Sequence, residues 1–219
     1  MNIKKFPQSS VQITSKSGGV ILIDPGKLKY QESFLEDWKN AEAVLITHKH
    51  GDHFYTDVVG QLNIPLFSTS EVANKYPQFD FTVIKEGDEL DLKDFHIEVV
   101  KAVHGFLPKM KNSGGEVFEN IGFIISVDGV SLYVSSDTIC FNNDFHADYM
   151  FAPVTGHGVT MSSYETGLMA KDIGVKKLIV CHLDNEKDYP MDLNVVRKTL
   201  DEIGVEYILP EIGQEIELI

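Results

Sequence analysis

The chain has 219 residues, of which 43% are hydrophobic, 10% aromatic and 24% charged. These are the proportions of a globular protein with a substantial core, not of a disordered or disulfide-stapled chain. Its 19 Lys+Arg against 33 Asp+Glu give a formal charge of −14, and an acidic surface repels phosphate backbones, which argues against nucleic acid as a partner.

In chain order, residues 11–15 and 20–24 read as two strands joined by Lys16-Ser17-Gly18-Gly19, a hairpin signal. Asp24-Pro25-Gly26 ends the second with turn chemistry. A short helix is expected at 33–38 and a buried strand at 43–47, where apolar residues run without interruption. A helix at 55–61, a strand at 65–68 and a small helix from Ser70 stopped by Pro77 follow. Further strands are expected at 81–84, 95–103, 122–127 and 130–135, the last two joined by the two-residue hairpin signal Asp128-Gly129. Beyond them strands alternate with helices: strand 149–154; a helix to Ile173 opened by the capping box Ser162-Ser163-Tyr164-Glu165 and closed by Gly174; strand 177–181; helix 193–203 closed by Gly204; strand 207–209. Strands first and alternation later suggest two packed sheets with helices outside, in one domain over 1–219.

Cys140 and Cys181 are far apart and in no C-x-x-C pattern, which excludes a disulfide framework and favours a reducing compartment. The first ten residues contain Lys4 and Lys5 but no apolar h-region. No apolar stretch approaches the roughly 18 residues that span a bilayer. The expectation is a cytoplasmic protein with no membrane partner.

The stretch "THKHGDH", from Thr47 to His53, places His48, His50, Asp52 and His53 directly after the strand 43–47. In a regular strand His48, His50 and Asp52 would share a face and His53 the other, and Gly51 could break that regularity and turn His53 back. Imidazole and carboxylate are ligands that borderline divalent ions prefer. A solvated polar loop is the plain alternative. A chance match to the four fixed positions of H-x-H-x-D-H is expected in about one chain of this size in a thousand, so the metal reading leads. Four ligands do not fill two sites, and three further candidates stand at strand ends: His104, Asp137 in "SSDT" and His182 in "IVCHLDN".

With "THKHGDH", "VHG", "SSDT" and "CHLD" in this order after the lead-in "VILIDPG", the sequence resembles the metallo-β-lactamase superfamily of binuclear metal hydrolases. The resemblance implies an α+β fold, a four-layer αββα sandwich with metals at one edge of the sheets. It implies His48, His50 and His104 on a first metal and Asp52, His53 and His182 on a second, with Asp137 bridging. A hydroxide between the ions would be the nucleophile. The ions would be zinc foremost, with manganese or iron also accommodated by this ligand set. Asp52 could also relay a proton to the leaving group. "APVTGHGVTM" before a capped helix is similar to the ascorbate-6-phosphate lactonase-like branch, which makes His157 a candidate to bind substrate or donate a proton. That branch includes assemblies, so a homo-oligomer is compatible with it. The chain departs from the branch at Pro7-Gln8-Ser9-Ser10, where many members carry a histidine.

The other histidines and the cysteines read as structural: His96 and His146 match nothing, and Cys181 and Cys140 read as bland thiols. Residues 105–120, "GFLPKMKNSGGEVFEN", form a candidate substrate lid, with Lys109 or Lys111 for a phosphate and Phe106 or Met110 for an apolar group. The leading function is a hydrolase of a small ester, lactone or phosphodiester, with an anionic substrate compatible. The alternative is a non-catalytic metal-binding or sensing protein on the same fold.

Overall fold

The computed structural model describes residues 1–155, 157–184 and 191–219. Its apolar runs pair into two seven-stranded sheets. The first sheet begins with the antiparallel strands β1 (Asn2–Lys5), β2 (Val11–Thr14) and β3 (Val20–Ile23). It continues in parallel through β4 (Ala43–Leu45), β5 (Leu66–Ser68) and β6 (Phe81–Val83). The second begins as an antiparallel meander, β7 (Glu89–Leu92), β8 (Phe95–Lys101), β9 (Ile121–Val127) and β10 (Val130–Val134). It turns parallel in β11 (Tyr149–Pro153), β12 (Lys177–Cys181) and β13 (Tyr207–Ile208). The last strand, β14 (Glu215–Glu217), crosses back to pair antiparallel with β1.

Both faces of each sheet are covered, which is why the central strands read as continuous apolar runs. In β3, Ile21 and Ile23 join the inter-sheet core while Leu22 packs outward. In β12, Ile179 and Cys181 face inward and Leu178 and Val180 outward. Outside the first sheet lie α1 (Phe34–Trp38), α2 (Thr56–Val59) and α3 (Ser70–Lys75). They cover it with Phe34, Trp38, Val58 and Val72. Outside the second lie α4 (Ser163–Ile173) and α5 (Leu193–Ile203), which contribute Met169, Ala170, Val196 and Leu200. The four layers are helices, sheet, sheet, helices: an αββα sandwich. Truncating one of these buried Leu or Ile side chains to Ala costs about 2–5 kcal/mol.

The expected caps form. Ser162 Oγ accepts from the Glu165 N–H while the Glu165 carboxylate accepts from the Ser162 N–H, and Gly174 closes α4 at φ 77°. Three strands escaped the sequence reading: β1, β7 and β14. Each has three or four residues with charges among them (NIKK, ELDL, EIE), too short for alternation to register, and their order comes from pairing with a longer neighbour. The expected helix 55–61 contracts to Thr56–Val59, and the expected strand 95–103 ends at Lys101. Among the described residues no helix is long and apolar enough to cross a membrane.

The pairings fix where chemistry can gather. β8 and β10 are both antiparallel to β9, and β10, β11 and β12 are mutually parallel, so β8, β10 and β12 all end at one edge of the second sheet. The end of β4 in the first sheet meets them there: Ile121 N–H donates to Thr47 C=O at 3.3 Å.

Candidate metal centre

The histidine-rich stretch is not strand. β4 ends at Leu45, so the face alternation expected for residues 48–53 does not apply. The chain turns instead, with the N–H groups of His53 and Phe54 both donating to His50 C=O at 3.1 and 3.0 Å. Gly51, read as the glycine that permits this turn, meets nothing within 4 Å of an added Cβ; the demanding glycine is Gly26. A Cβ there would lie 1.6 Å from the Asp52 carbonyl oxygen, so the "DPG" turn needs glycine to let the backbone of the histidine loop pass against it.

His48, His50 and His104 form a first group, each offering a ring nitrogen within 4.8 Å of the others. Hydrogen bonds choose which nitrogen. Thr47 Oγ1 donates to Asp24 Oδ2 at 2.8 Å, so it accepts from His48 Nδ1–H at 3.0 Å and leaves Nε2 as a lone pair. His50 Nε2–H donates to Gly115 C=O at 2.9 Å and leaves Nδ1, which lies 3.1 Å from His48 Nε2. His104 Nδ1–H donates to Gly105 C=O at 2.7 Å, and its Nε2 is buried without a hydrogen-bond partner among the described residues. Three lone pairs therefore converge, each ring aimed by a carbonyl or hydroxyl behind it.

Asp52, His53, Asp137 and His182 form a second group, with their ligand atoms again within 4.8 Å of one another. His53 Nδ1–H donates to Asp24 Oδ2 at 2.8 Å. Its Nε2 is buried without a hydrogen bond among the described residues and lies 3.3 Å from Asp137 Oδ2. His182 Nε2 is 3.4 Å from the same oxygen and 3.5 Å from Asp52 Oδ2. Donor atoms held about 2.1 Å from one tetrahedral ion are separated by roughly 3.4 Å, so these spacings suit ligands of a shared cation.

Electrostatics divides the two groups. Burial holds His48 well below the usual imidazole range, with the charge of His53 adding to it, and pushes His104 down to about 4. His50 is lowered by burial as well, so all three are neutral imidazoles at neutral pH, the form that binds metal. In the second group burial opposes charge but the partners outweigh it. Asp137 and Asp24 raise His53 well above its ordinary value, and Asp137 with Asp52 raises His182 to about 10. Burial disfavours the carboxylates too, yet the bond to His182 and the charge of His53 bring Asp52 down to about 2, and the same two imidazoles depress Asp137 strongly. The carboxylates thus demand positive charge. Protons on His53 and His182 supply it without a metal, and a divalent cation displacing them would supply it with one. The charge of Asp137 also reaches His48, His50 and His104, raising each.

The donor set fits divalent metal on three counts: neutral imidazoles with oriented lone pairs, ionised carboxylates, and buried ring nitrogens with no hydrogen bond. All seven residues singled out as ligands from the sequence are brought to this edge. His157 is half-buried, with Nδ1 accepting from Val159 N–H at 3.3 Å. Burial and the charge of His182 lower it, with Asp137, Lys109 and Asp52 also acting on it, so it is within reach of the second group. Its neighbour Gly156 lies outside the described residues. His96 is on the surface, paired with Asp91 at 2.9 Å, and His146 is exposed. Cys140 is exposed, whereas Cys181 is buried in the inter-sheet core with Sγ 3.8 Å from Ser9 Oγ.

Sequence reasoning missed Asp24, which it read only as a turn residue. Asp24 is fully buried and accepts from Thr47 N–H, Thr47 Oγ1 and His53 Nδ1, tying the two groups together. A carboxylate following the four apolar residues of β3 was the available signal, since a strand-end acid facing the same edge as a metal motif calls for a partner. Asp24 (φ 48°), Ser136 (φ 62°) and His182 (φ 63°) adopt left-handed backbone, so strain gathers at the strand ends that feed the site.

Residues 2–182 match the family model of the β-lactamase superfamily domain, and the chain belongs to that family. Fold, site and family together define the class: a metal-dependent hydrolase of the metallo-β-lactamase fold. Over its whole length the chain is 26% identical to a metal-dependent hydrolase of Christiangramia forsetii, with 100% of each chain covered. A metal-dependent hydrolase of Paracoccus denitrificans is 27% identical, over 91% of this chain and 92% of that one. Among solved structures, a metallo hydrolase from the hyperthermophilic archaeon Ignicoccus hospitalis superposes with a TM-score of 0.79 at 21% identity, covering 100% of this chain and 99% of that one.

Proposed function

We propose that the chain hydrolyses a small ester, lactone or phosphodiester with two divalent ions, zinc foremost and manganese or iron as alternatives. The convergence of His48 Nε2, His50 Nδ1 and His104 Nε2, each with its other nitrogen hydrogen-bonded away or held by a carbonyl, carries the reading. His48, His50 and His104 would hold one ion and Asp52, His53 and His182 the other, with Asp137 between them. When bound, the ions would lower the pKa of water toward about 7 and polarise the substrate oxygen.

The chain's own groups do the rest. Asp24 holds His53 and, through Thr47, His48 in register. Asp52, half-exposed beside the buried ligands, is placed to pass a proton to a leaving group. His157, half-buried and within reach of the second group, would contact substrate or donate a proton. Lys109 adds positive charge near His157, which is compatible with an anionic substrate. A cleft of about 520 Å³ with His104 in its wall has the size of a small-molecule site, and Val103, Val117, Phe118 and Ile121 give it an apolar side.

The test is metal content by plasma mass spectrometry on protein purified without chelator, followed by hydrolysis of ester and phosphodiester reporters by wild type and Asp52→Asn. About two ions per chain, with hydrolysis abolished by chelator and restored by zinc or manganese, is expected. Two ions with no hydrolysis of any reporter would favour the non-catalytic sensing role. No metal after reconstitution would overturn the reading.

A further inference from the structure

Gly115 C=O is the group that fixes His50. By accepting from Nε2–H at 2.9 Å it leaves Nδ1 as the lone pair facing His48. Gly115 belongs to the long connection between β8 and β9, whose regular structure is one 3-10 turn at Pro108–Met110. Something must hold this carbonyl in place.

The grip comes from Glu71, in the first turn of α3. Its Oε2 accepts from the N–H groups of Phe118 and Glu119 at 3.0 and 2.9 Å. Its Oε1 accepts from Lys49 Nζ at 2.6 Å, and Lys49 stands between His48 and His50. Glu119 answers in kind: its carboxylate accepts from Glu71 N–H at 2.8 Å and from Ser70 Oγ at 2.7 Å. From the same helix, Lys75 Nζ donates to the Lys49 carbonyl at 2.9 Å, and Tyr76 OH, just after it, donates to the same carbonyl at 3.2 Å. One carboxylate thus grips both sides of the His50–Gly115 hydrogen bond. One oxygen holds the residue before His50, and the other holds residues three and four positions after Gly115. The Glu71 and Lys49 side chains are only 15% and 12% exposed, so the grip is partly shielded from water, where a charge-assisted bond is stronger than on an open surface.

We propose that Glu71 is a positioning residue for the first ligand group: it locks the 115–119 segment onto the histidine loop and so sets the tautomer and aim of His50. The proposal rests on the reading of His48, His50 and His104 as metal ligands, and its test separates the two. A positioning role predicts that Glu71→Ala and Glu71→Gln lower affinity for Zn²⁺ alone, measured by chelator competition, on the order of tenfold to a hundredfold for Ala. The loss should be smaller for Gln, which keeps one acceptor. Lys49→Met, which removes only the Oε1 arm, should fall between wild type and Glu71→Ala.

The decisive readout needs no metal. In metal-free protein, ¹⁵N-resolved imidazole spectra should show His50 as the Nε2–H tautomer in wild type and a mixture in Glu71→Ala, with His104 unchanged. A purely structural role would lower the unfolding midpoint and leave the His50 tautomer and the zinc affinity alone, and that result overturns the proposal. If the wild type binds no zinc but its His50 tautomer still shifts in Glu71→Ala, the positioning role stands and the metal reading falls.

Discussion

His48 and His50 turn unlike nitrogens toward one point, Nε2 of the first lying 3.1 Å from Nδ1 of the second. Two lone pairs this close repel unless a cation or proton sits between them. The arrangement persists because each ring is held from behind, His48 by Thr47 Oγ1 and His50 by Gly115 C=O. Holding two acceptors in opposition is a cost to the metal-free fold that metal binding would relieve.

Asp24 stands behind Thr47, and so behind His48, and also holds His53. Asp24→Ala leaves the Thr47 N–H and the His53 imidazole buried without their acceptor. The metal-free protein should lose about 3–5 kcal/mol of stability in urea titration, and zinc affinity should fall at least tenfold. A loss under about 1 kcal/mol would contradict the role assigned to this carboxylate.

The two glycines near the loop should behave oppositely. Gly26→Ala forces a Cβ into the Asp52 backbone, whereas Gly51→Ala meets nothing within 4 Å. Calorimetry should find Gly26→Ala destabilised by about 2 kcal/mol or more and Gly51→Ala within about 0.5 kcal/mol of wild type. Equal effects would mean that the approach of Gly26 to Asp52 is not a real constraint.

The Glu71 grip should weaken in acid. Burial raises the Glu71 carboxyl, but the bonds from Lys49 and from the N–H groups of Glu119 and Phe118 outweigh it and hold the group below its ordinary 4.5. A depressed carboxyl contributes stability that is fully present above pH 4.5 and is lost as pH falls through the lower folded value. Amide exchange at Phe118 and Glu119, corrected for intrinsic rates, should lose protection below pH 4.5 in wild type. In Glu71→Gln it should show no such step, and a wild-type profile parallel to the variant's would refute the link.

Tyr133 is fully buried, and its hydroxyl has no hydrogen-bond partner among the described residues. Burial, with a smaller contribution from Cys140, raises its phenol far above the ordinary range. Tyr133→Phe removes an unsatisfied polar atom without changing the ring that packs edge-on to Phe145. It should be neutral or stabilising by about 1 kcal/mol in urea titration, and a loss of that size instead would show that the hydroxyl does have a partner.

Much of the fold was legible because it is local. The apolar runs of β3, β4 and β12 announced strands covered on both faces. Asp128-Gly129 announced a tight hairpin, and both residues adopt positive φ, 58° and 77°. Ser162 and Glu165 announced the start of α4. The two clusters were legible for a similar reason, since few other roles place His48, His50, Asp52 and His53 in six positions and leave His104, Asp137 and His182 at strand ends.

What the sequence determined by itself is the cast of candidate ligands: their residue types and the strands that deliver them, because side-chain identity and strand periodicity act within a few residues. Only the tertiary structure decided which nitrogen each imidazole presents, which glycine the loop requires, and that Asp24 and Glu71 stand behind the histidines. Those outcomes depend on contacts between residues 23 apart, as for Thr47 and Asp24, or 65 apart, as for His50 and Gly115. Sheet pairing and layer packing bring such residues together, and a hydrogen bond exists only once its two groups stand about 3 Å apart.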